Sequence, residues 1–211
     1  MKNFSLQIVF YIALIVVGNL DVSANGASSP AQFRDGDIIF HTSRSAQSMA
    51  IQKATHSKYS HMGIIFFRDG KPYVFEAIKT VQYTPLKEWV SRGNGGRYVV
   101  KRLRDADKIL TPGAISRLRK AAAVFQGKPY DLTFEWSDKH IYCSELVWKV
   151  YERALGLRLG RLQQLREFDL SYPVVKAKMK ERYGRAVPME ENVISPGEIF
   201  SCKELTKIVE R

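Results

Sequence analysis

Cys143 has the residue type and the position of a catalytic nucleophile. The apolar residues that follow it recur with a helical period and predict a helix that begins at about residue 142. Cys143 therefore lies in the first turn, where unpaired backbone N–H groups and the helix dipole favour a thiolate over a thiol. Such a cysteine can form an acyl intermediate if a base lies within hydrogen-bonding reach and a third group orients that base.

His61 and Glu76 are the candidates for the base and the orienting group. His61 precedes an apolar strand predicted over residues 62–67, so its ring lies at an end of the sheet. Glu76 interrupts the apolar segment 74–77 of the next strand, from which a carboxylate could orient the imidazole across a hairpin. Glu76 also fits a solvent-facing position, because one face of an antiparallel sheet is often wet. The other histidines are His41, His56 and His140.

Three other roles for Cys143 fit the same residues. It could be an inert small side chain that opens the buried stripe continued by Leu146 and Val147. It could form a disulfide with Cys202, which an exported protein permits. It could bind zinc together with His140, although the remaining ligands would have to come from distant parts of the chain. For that reason we expect no metal. We also expect no cofactor, because the chain lacks a glycine-rich phosphate loop of the Walker or dinucleotide type.

The composition is that of an ordinary globular protein. Of the 211 residues, 45% are apolar and 26% are charged. The two cysteines exclude a disulfide-rich framework and a four-cysteine metal site. The net charge of +12 favours contact with anionic partners such as phospholipid, nucleic acid or a cell-wall polymer.

The first residues predict export. Lys2, the apolar run 8–17 and the small residues Val22-Ser23-Ala24 have the pattern of a secretory signal peptide. We therefore predict a signal peptide over residues 1–24, a linker over 25–32 and a single domain over 33–211, in the periplasm or outside the cell. A retained N-terminal anchor is the alternative, although a membrane span needs roughly 20 apolar residues. Export argues against a nucleic-acid partner.

The remaining pattern predicts an α+β fold in which helices flank an antiparallel sheet. Asp69-Gly70 predicts a hairpin turn between two of the strands. The predicted strands cover residues 38–40, 62–67, 73–77 and 97–103.

Three helices are predicted in the second half of the chain. The first follows the N-cap Thr111 and continues towards residue 127, and the second covers residues 142–155, with an i,i+4 pair of Glu145 and Lys149 opposite its apolar stripe. The third covers residues 172–183, with Ser171 as its cap. This third helix is basic and could contact an anionic membrane surface, or it could pack its apolar side on the core.

Five short motifs between residues 33 and 155 are similar to a known group of enzymes. They are Asp35-Gly36-Asp37-Ile38-Ile39-Phe40, Ser60-His61-Met62-Gly63-Ile64, Val74-Phe75-Glu76-Ala77, Gly127-Lys128-Pro129-Tyr130-Asp131 and Tyr142-Cys143-Ser144-Glu145-Leu146-Val147. Together they resemble the YiiX/YaeF group of permuted papain-fold cysteine amidases, which is related to the NlpC-type cell-wall peptidases. The resemblance implies a circularly permuted papain-like fold, in which histidine precedes cysteine along the chain.

The resemblance also implies roles for individual residues. Cys143 would be the nucleophile, His61 the general base and then acid, and Glu76 the group that orients the imidazole. The Cys143 backbone N–H is a natural oxyanion donor. The Tyr142 hydroxyl could assist it or could simply pack, and Tyr130 could line the cleft or belong to a plain turn.

The substrate is less constrained than the catalytic residues. Peptide amides of peptidoglycan follow the relatives of the group, and acyl esters or amides of lipids are the alternative on the same three residues. A non-enzymatic alternative is an exported module that binds anionic envelope components in a papain-like cleft.

Overall fold

The computed structural model describes residues 33–211. The predicted signal peptide and linker lie outside the described residues. None of the helices between residues 33 and 211 has the length and apolarity that a membrane crossing requires.

A six-stranded antiparallel sheet forms the centre of the fold. Its strands lie in the order β4-β3-β2-β1-β5-β8. The strands of this sheet are β1 (Ile38–His41), β2 (His61–Arg68), β3 (Lys71–Ala77), β4 (Val81–Pro85), β5 (Val99–Leu103) and β8 (Leu205–Glu210). Two short strands, β6 (Gln163–Gln164) and β7 (Asn192–Val193), pair separately. The four predicted strands are confirmed, whereas the edge strands β4 and β8 were not predicted.

The hairpin between β2 and β3 is the one that the sequence predicts. Asp69 and Gly70 both have positive φ angles, 49° and 72°. Two consecutive residues of this kind form the type I′ turn, whose twist matches that of paired strands. The turn fixes the β2–β3 register, in which Ile64 lies opposite Phe75.

Seven α-helices surround the sheet within the described residues. The helices are α1 (Ala46–Thr55), α2 (Leu86–Ser91), α3 (Ala106–Ile109), α4 (Pro112–Ala123), α5 (Cys143–Leu155), α6 (Pro173–Tyr183) and α7 (Pro196–Ser201). Helix α5 packs against β2 and β3, α4 packs against α5, and α6 packs against α1. The main apolar core lies between α5 and the sheet, and a second core around Trp89 covers the opposite face.

The three predicted helices are present, but the end of α4 and the N-cap of α6 differ from the prediction. The Thr111 hydroxyl accepts a hydrogen bond from the Ala114 N–H and caps α4, as predicted, but α4 ends at Ala123, before residue 127. The N-cap of α6 is Tyr172, so the prediction of Ser171 as the cap is wrong. The Ser171 hydroxyl instead donates a hydrogen bond to Asp169 Oδ1 at 2.6 Å.

The predicted i,i+4 pair of Glu145 and Lys149 in α5 is confirmed, at 2.7 Å between Oε1 and Nζ, but the two side chains are buried, at 0% and 5% exposed. The pair is buried because the segment around Asp138 covers it, and Lys149 Nζ also contacts the Asp138 carboxylate at 3.0 Å. Burial raises the pKa of Glu145 to about 8, although Lys149 opposes this shift.

Gly63 allows β3 to pass very close to β2 beside His61. A Cβ atom at this position would lie 2.5 Å from Val74 Cγ1 and 2.7 Å from the Phe75 carbonyl oxygen. Because one of these neighbours is backbone, the strands would have to separate to admit a side chain.

We predict that Gly63→Ala destabilises the protein by about 1–3 kcal/mol, through overpacking between β2 and β3. The midpoint of thermal unfolding measures the effect. Gly113→Ala in α4 is the matched control, because the nearest atom to its added Cβ lies at 3.9 Å. An unchanged midpoint in Gly63→Ala would contradict the close approach of the two strands.

Candidate active site

Three elements bring the predicted residues Cys143, His61 and Glu76 to one place. His61 is the first residue of β2, Glu76 lies one residue before the end of β3, and Cys143 is the first residue of α5. Helix α5 packs against both strands. The helix that presents the thiol is therefore held against the hairpin that presents the other two side chains.

His61 and Glu76 form a short, buried contact. His61 Nε2 lies 2.6 Å from Glu76 Oε2, and the two side chains are 12% and 0% exposed. The solvent-facing position considered for Glu76 is therefore wrong. Because Nε2 is engaged by Glu76, Nδ1 is the ring nitrogen left for Cys143, whose side chain is near enough to help raise the pKa of His61.

Thr84 and Arg92 hold the second oxygen of Glu76. The Thr84 hydroxyl donates to Glu76 Oε1 at 2.5 Å, and Arg92 Nη2 donates to the same atom. Burial favours the neutral acid, but the hydrogen bonds from His61 and Thr84 and the charges of His61 and Arg92 lower the pKa of Glu76. The carboxylate therefore stays ionised inside the protein.

Thr84 and Arg92 were not predicted from the sequence, because no recognisable motif links either residue to Glu76. Thr84 belongs to the edge strand β4, and Arg92 directly follows α2. The pairing of Glu76 with Gln82 brings β4 alongside, so only the strand register places Thr84 within reach.

His61 is the protonated member of the group at neutral pH. Burial lowers the pKa of its imidazole, but hydrogen bonds with Cys143 and Glu76 and the charges of these groups outweigh burial and raise it to about 9. An imidazolium between a sulfur and a carboxylate can act as a general acid and donate its proton to a leaving group.

The other histidines do not share this environment. His41 stacks on Trp89 with ring centroids 3.9 Å apart, and burial together with the charges of His61 and Arg92 lowers its pKa to about 2. It is therefore a neutral aromatic neighbour of His61, with centroids 5.3 Å apart. His56 and His140 are exposed.

Tyr142 lies beside Cys143 but its hydroxyl is already engaged. Its oxygen accepts a hydrogen bond from the Ile194 N–H at 3.1 Å, and its ring packs edge-on against Phe134. Burial raises the pKa of Tyr142 well above the ordinary value. These contacts account for a packing role. The backbone N–H of Cys143, at the start of α5, remains an oxyanion donor that needs no side chain.

Tyr130 lies where two halves of a cleft meet. Its hydroxyl accepts a hydrogen bond from Gln47 Nε2 at 3.1 Å, and both residues line each half. Tyr130 therefore lies between the two halves, and a role for it in substrate binding stays a prediction.

The first half, which we call the apolar slot, is narrow and almost entirely hydrophobic. It encloses about 70 Å³, is lined in part by Cys143, and has Lys178 and Arg182 as its charged lining residues. Its apolar lining includes Ala54, Phe134, Leu165, Phe168, Val175 and Met179.

The second half, which we call the polar basin, is wider and contains His61. It has a volume of about 490 Å³, within the range of roughly 300–1,000 Å³ that small-molecule sites occupy. Its polar lining includes His41, Ser43, Arg44, Gln47, His61 and Arg92.

Both cysteines are free, so the proposed Cys143–Cys202 disulfide is not formed. The Cys202 thiol instead donates to Glu204 Oε2 at 2.8 Å. Between residues 33 and 211, no three histidine, cysteine or acidic side chains are grouped so that they could hold a metal ion.

Almost all of the described chain matches one protein family. A model of the permuted papain-like amidase enzymes of the YaeF/YiiX type, the C92 family, matches residues 32–209. The chain belongs to the C92 family. The expected permuted papain-like fold is therefore confirmed, and so is the general class of activity, a cysteine hydrolase.

Two similar proteins from Escherichia coli extend this comparison. The uncharacterized protein YiiX of strain K12 is 52% identical over 177 residues, which are 84% of this chain and 86% of YiiX. A crystal structure of yiiX from strain O157:H7, described as a metalloprotein, has a TM-score of 0.82 and 52% identity, over 85% of this chain and 98% of that chain. The described residues of this C92 member do not fit a metal site, because the grouping of ligands that such a site needs is absent among them.

We predict that Glu76→Gln lowers the pKa of His61 from about 9, because the amide carries no charge to stabilise the imidazolium. Nuclear magnetic resonance titration of the His61 ring measures this pKa. Glu88→Gln, which removes an exposed carboxylate, is the matched control. A His61 pKa that is equally high in both variants would show that Glu76 does not set the charge of the ring.

Proposed function

We propose that this C92 member is an exported cysteine amidase in which Cys143, His61 and Glu76 form a catalytic triad. The observation that carries the proposal is the His61 ring, which contacts Glu76 at 2.6 Å through Nε2 and lies near Cys143, which together with Glu76 raises the pKa of the ring. This is the arrangement of nucleophile, base and orienting group that covalent acyl transfer requires. Export rests on the signal-peptide pattern of residues 1–24.

In the first step, Cys143 attacks the carbonyl carbon of an amide. His61 holds the proton that the sulfur gives up, and Glu76 keeps the imidazolium oriented and stabilised. Negative charge develops on the carbonyl oxygen, and the backbone N–H of Cys143 can donate to it.

In the second step, the carbon–nitrogen bond breaks and the imidazolium of His61 gives its proton to the leaving amine. The acyl group is then bound to Cys143 as a thioester. Neutral His61 next removes a proton from water, which attacks the thioester and releases the acid.

A cell-wall peptide is the first candidate substrate. The net charge of +12 suits an anionic polymer, and an exported protein would meet peptidoglycan. The amide bonds of its stem peptides present the carbonyl group that the triad would attack.

The apolar slot favours a second candidate, an amide or ester of a lipid-like acyl group. The proposed nucleophile lines the slot, so the acyl part of a substrate would enter it. An apolar lining gains free energy by removing hydrocarbon from water, about 0.8 kcal/mol per methylene. Transfer of the acyl group to an acceptor other than water would use the same triad.

We predict that Cys143→Ala abolishes amide hydrolysis without unfolding the protein. We also predict that iodoacetamide modifies Cys143 faster than Cys202 at pH 7, and that His61→Ala slows this reaction several-fold because the proton acceptor is lost. Intact-mass spectrometry measures the modification rate of Cys143 in the Cys202→Ser background and that of Cys202 in Cys143→Ala. The effect of His61→Ala is measured in the Cys202→Ser background. Hydrolysis that persists in Cys143→Ala would overturn the proposed triad. If the unmodified protein shows no turnover, the non-enzymatic binding module gains support.

We predict that Ala54→Met, which fills part of the apolar slot, lowers kcat/KM for an octanoyl substrate about tenfold relative to an acetyl substrate. The added side chain competes with the longer chain for space. Ala123→Met, at an exposed position in α4, is the matched control. If both acyl lengths lose activity equally, the slot does not hold the acyl group.

A further inference from the structure

The two halves of the cleft would hold different parts of the substrate in the proposed reaction. Cys143 lines the apolar slot and His61 lines the polar basin. In acyl transfer the acyl group stays on the sulfur, whereas the imidazolium must reach the leaving nitrogen. The acyl group therefore belongs in the slot, and the leaving amine belongs in the basin.

The charges around the basin are positive. Arg44 and Arg92 line it, and no aspartate or glutamate does so among the described residues. Because Arg92 is paired with the buried Glu76 carboxylate, Arg44 is the cation that faces a ligand. Arg44 is exposed, and its Nη2 donates to the Ser91 carbonyl oxygen at 2.6 Å. That contact anchors the guanidinium, which has five N–H donors and can bind a carboxylate through two of them.

The wall of the basin contains further donors. The hydroxyl groups of Ser43 and Ser45 lie 2.9 Å apart, and both residues line the basin. Helix α1 starts directly after Ser45 with no acidic residue in its first turn, so its dipole adds to the positive potential. His41, 2% exposed, lines the same space, and its Nδ1 atom has no hydrogen-bond partner in the described part of the chain.

We infer that the basin binds a carboxylate on the leaving amine, with Arg44 as its main contact. The substrate class is then an N-acyl amino acid, with an apolar acyl group on one side of the scissile amide and a carboxylate on the other. This inference rests on the proposed function, since it assigns the two sides of the cleft from the roles of Cys143 and His61.

The reaction balances without a further reactant except water. The C–N bond of the amide breaks as the C–S bond to Cys143 forms, and His61 gives one proton to the nitrogen. The free amino acid leaves through the basin, and water converts the thioester to the carboxylic acid and the free thiol.

Calorimetric titration of the Cys143→Ala protein tests the inference without turnover. The probes are N-octanoylglycine, its neutral analogue N-octanoylglycinamide, and N-octanoyl aminoethyl phosphate. We expect N-octanoylglycine to bind about tenfold more tightly than the amide, as one charge-assisted contact would give. Adding Arg44→Gln should bring this ratio close to one, and Arg44→Lys should restore part of it.

The matched control is Arg158→Gln, which removes the same charge at an exposed position outside the basin. It should leave the tenfold ratio intact. Equal binding of acid and amide, a ratio that survives Arg44→Gln, or no binding of any probe would overturn the inference. Tighter binding of the phosphate than of the carboxylate would also overturn it and assign the basin to a phosphate-bearing amine.

Hydrolysis of N-octanoylglycine by the unmodified protein separates this inference from the proposed function. Glycine release that stops in Cys143→Ala supports both. Absence of glycine release, with the carboxylate preference intact, would contradict the triad and leave the basin as an anion site.

Discussion

The buried negative charge of Glu76 is the constraint on which the site depends. A carboxylate without exposure to water is unfavourable unless its oxygens are fully hydrogen-bonded and its charge is compensated. His61 engages one oxygen, and Thr84 and Arg92 engage the other. These partners come from β2, from β4 and from the residue after α2. The edge of the sheet must therefore assemble as a unit before Glu76 can stay ionised and raise the pKa of His61.

The second requirement is that a helix start lies against this edge. Helix α5 packs on β2 and β3 through its apolar stripe, so its first residue, Cys143, lies beside the His61 ring. The same packing gives the Cys143 sulfur and the His61 imidazole different surroundings. Segments around α1 and α6 close an apolar slot next to the sulfur, while the imidazole opens towards a polar basin. The scissile bond would lie at the boundary, near Tyr130.

The sequence predicts those parts of the fold that local patterns specify. Asp69-Gly70 predicts the hairpin that pairs β2 with β3, and an acidic residue inside an apolar strand singles out Glu76. Thr84 and Arg92 could not be predicted, because only the register of β4 and the path after α2 bring them to the carboxylate. The burial of the Glu145–Lys149 pair in α5 could not be predicted, since such pairs are typical of solvated surfaces and nothing local reveals the segment that covers this one.

A covalent acyl intermediate on Cys143 is the central claim of this account. Rapid acid quenching during turnover of p-nitrophenyl octanoate, followed by digestion and peptide mass spectrometry, would detect it. We predict an octanoyl group on the peptide that contains Cys143, and we predict that hydroxylamine removes it, as it removes a thioester. Turnover that leaves this peptide unmodified, or an octanoyl group on another residue that is released at the rate of turnover, would contradict the account.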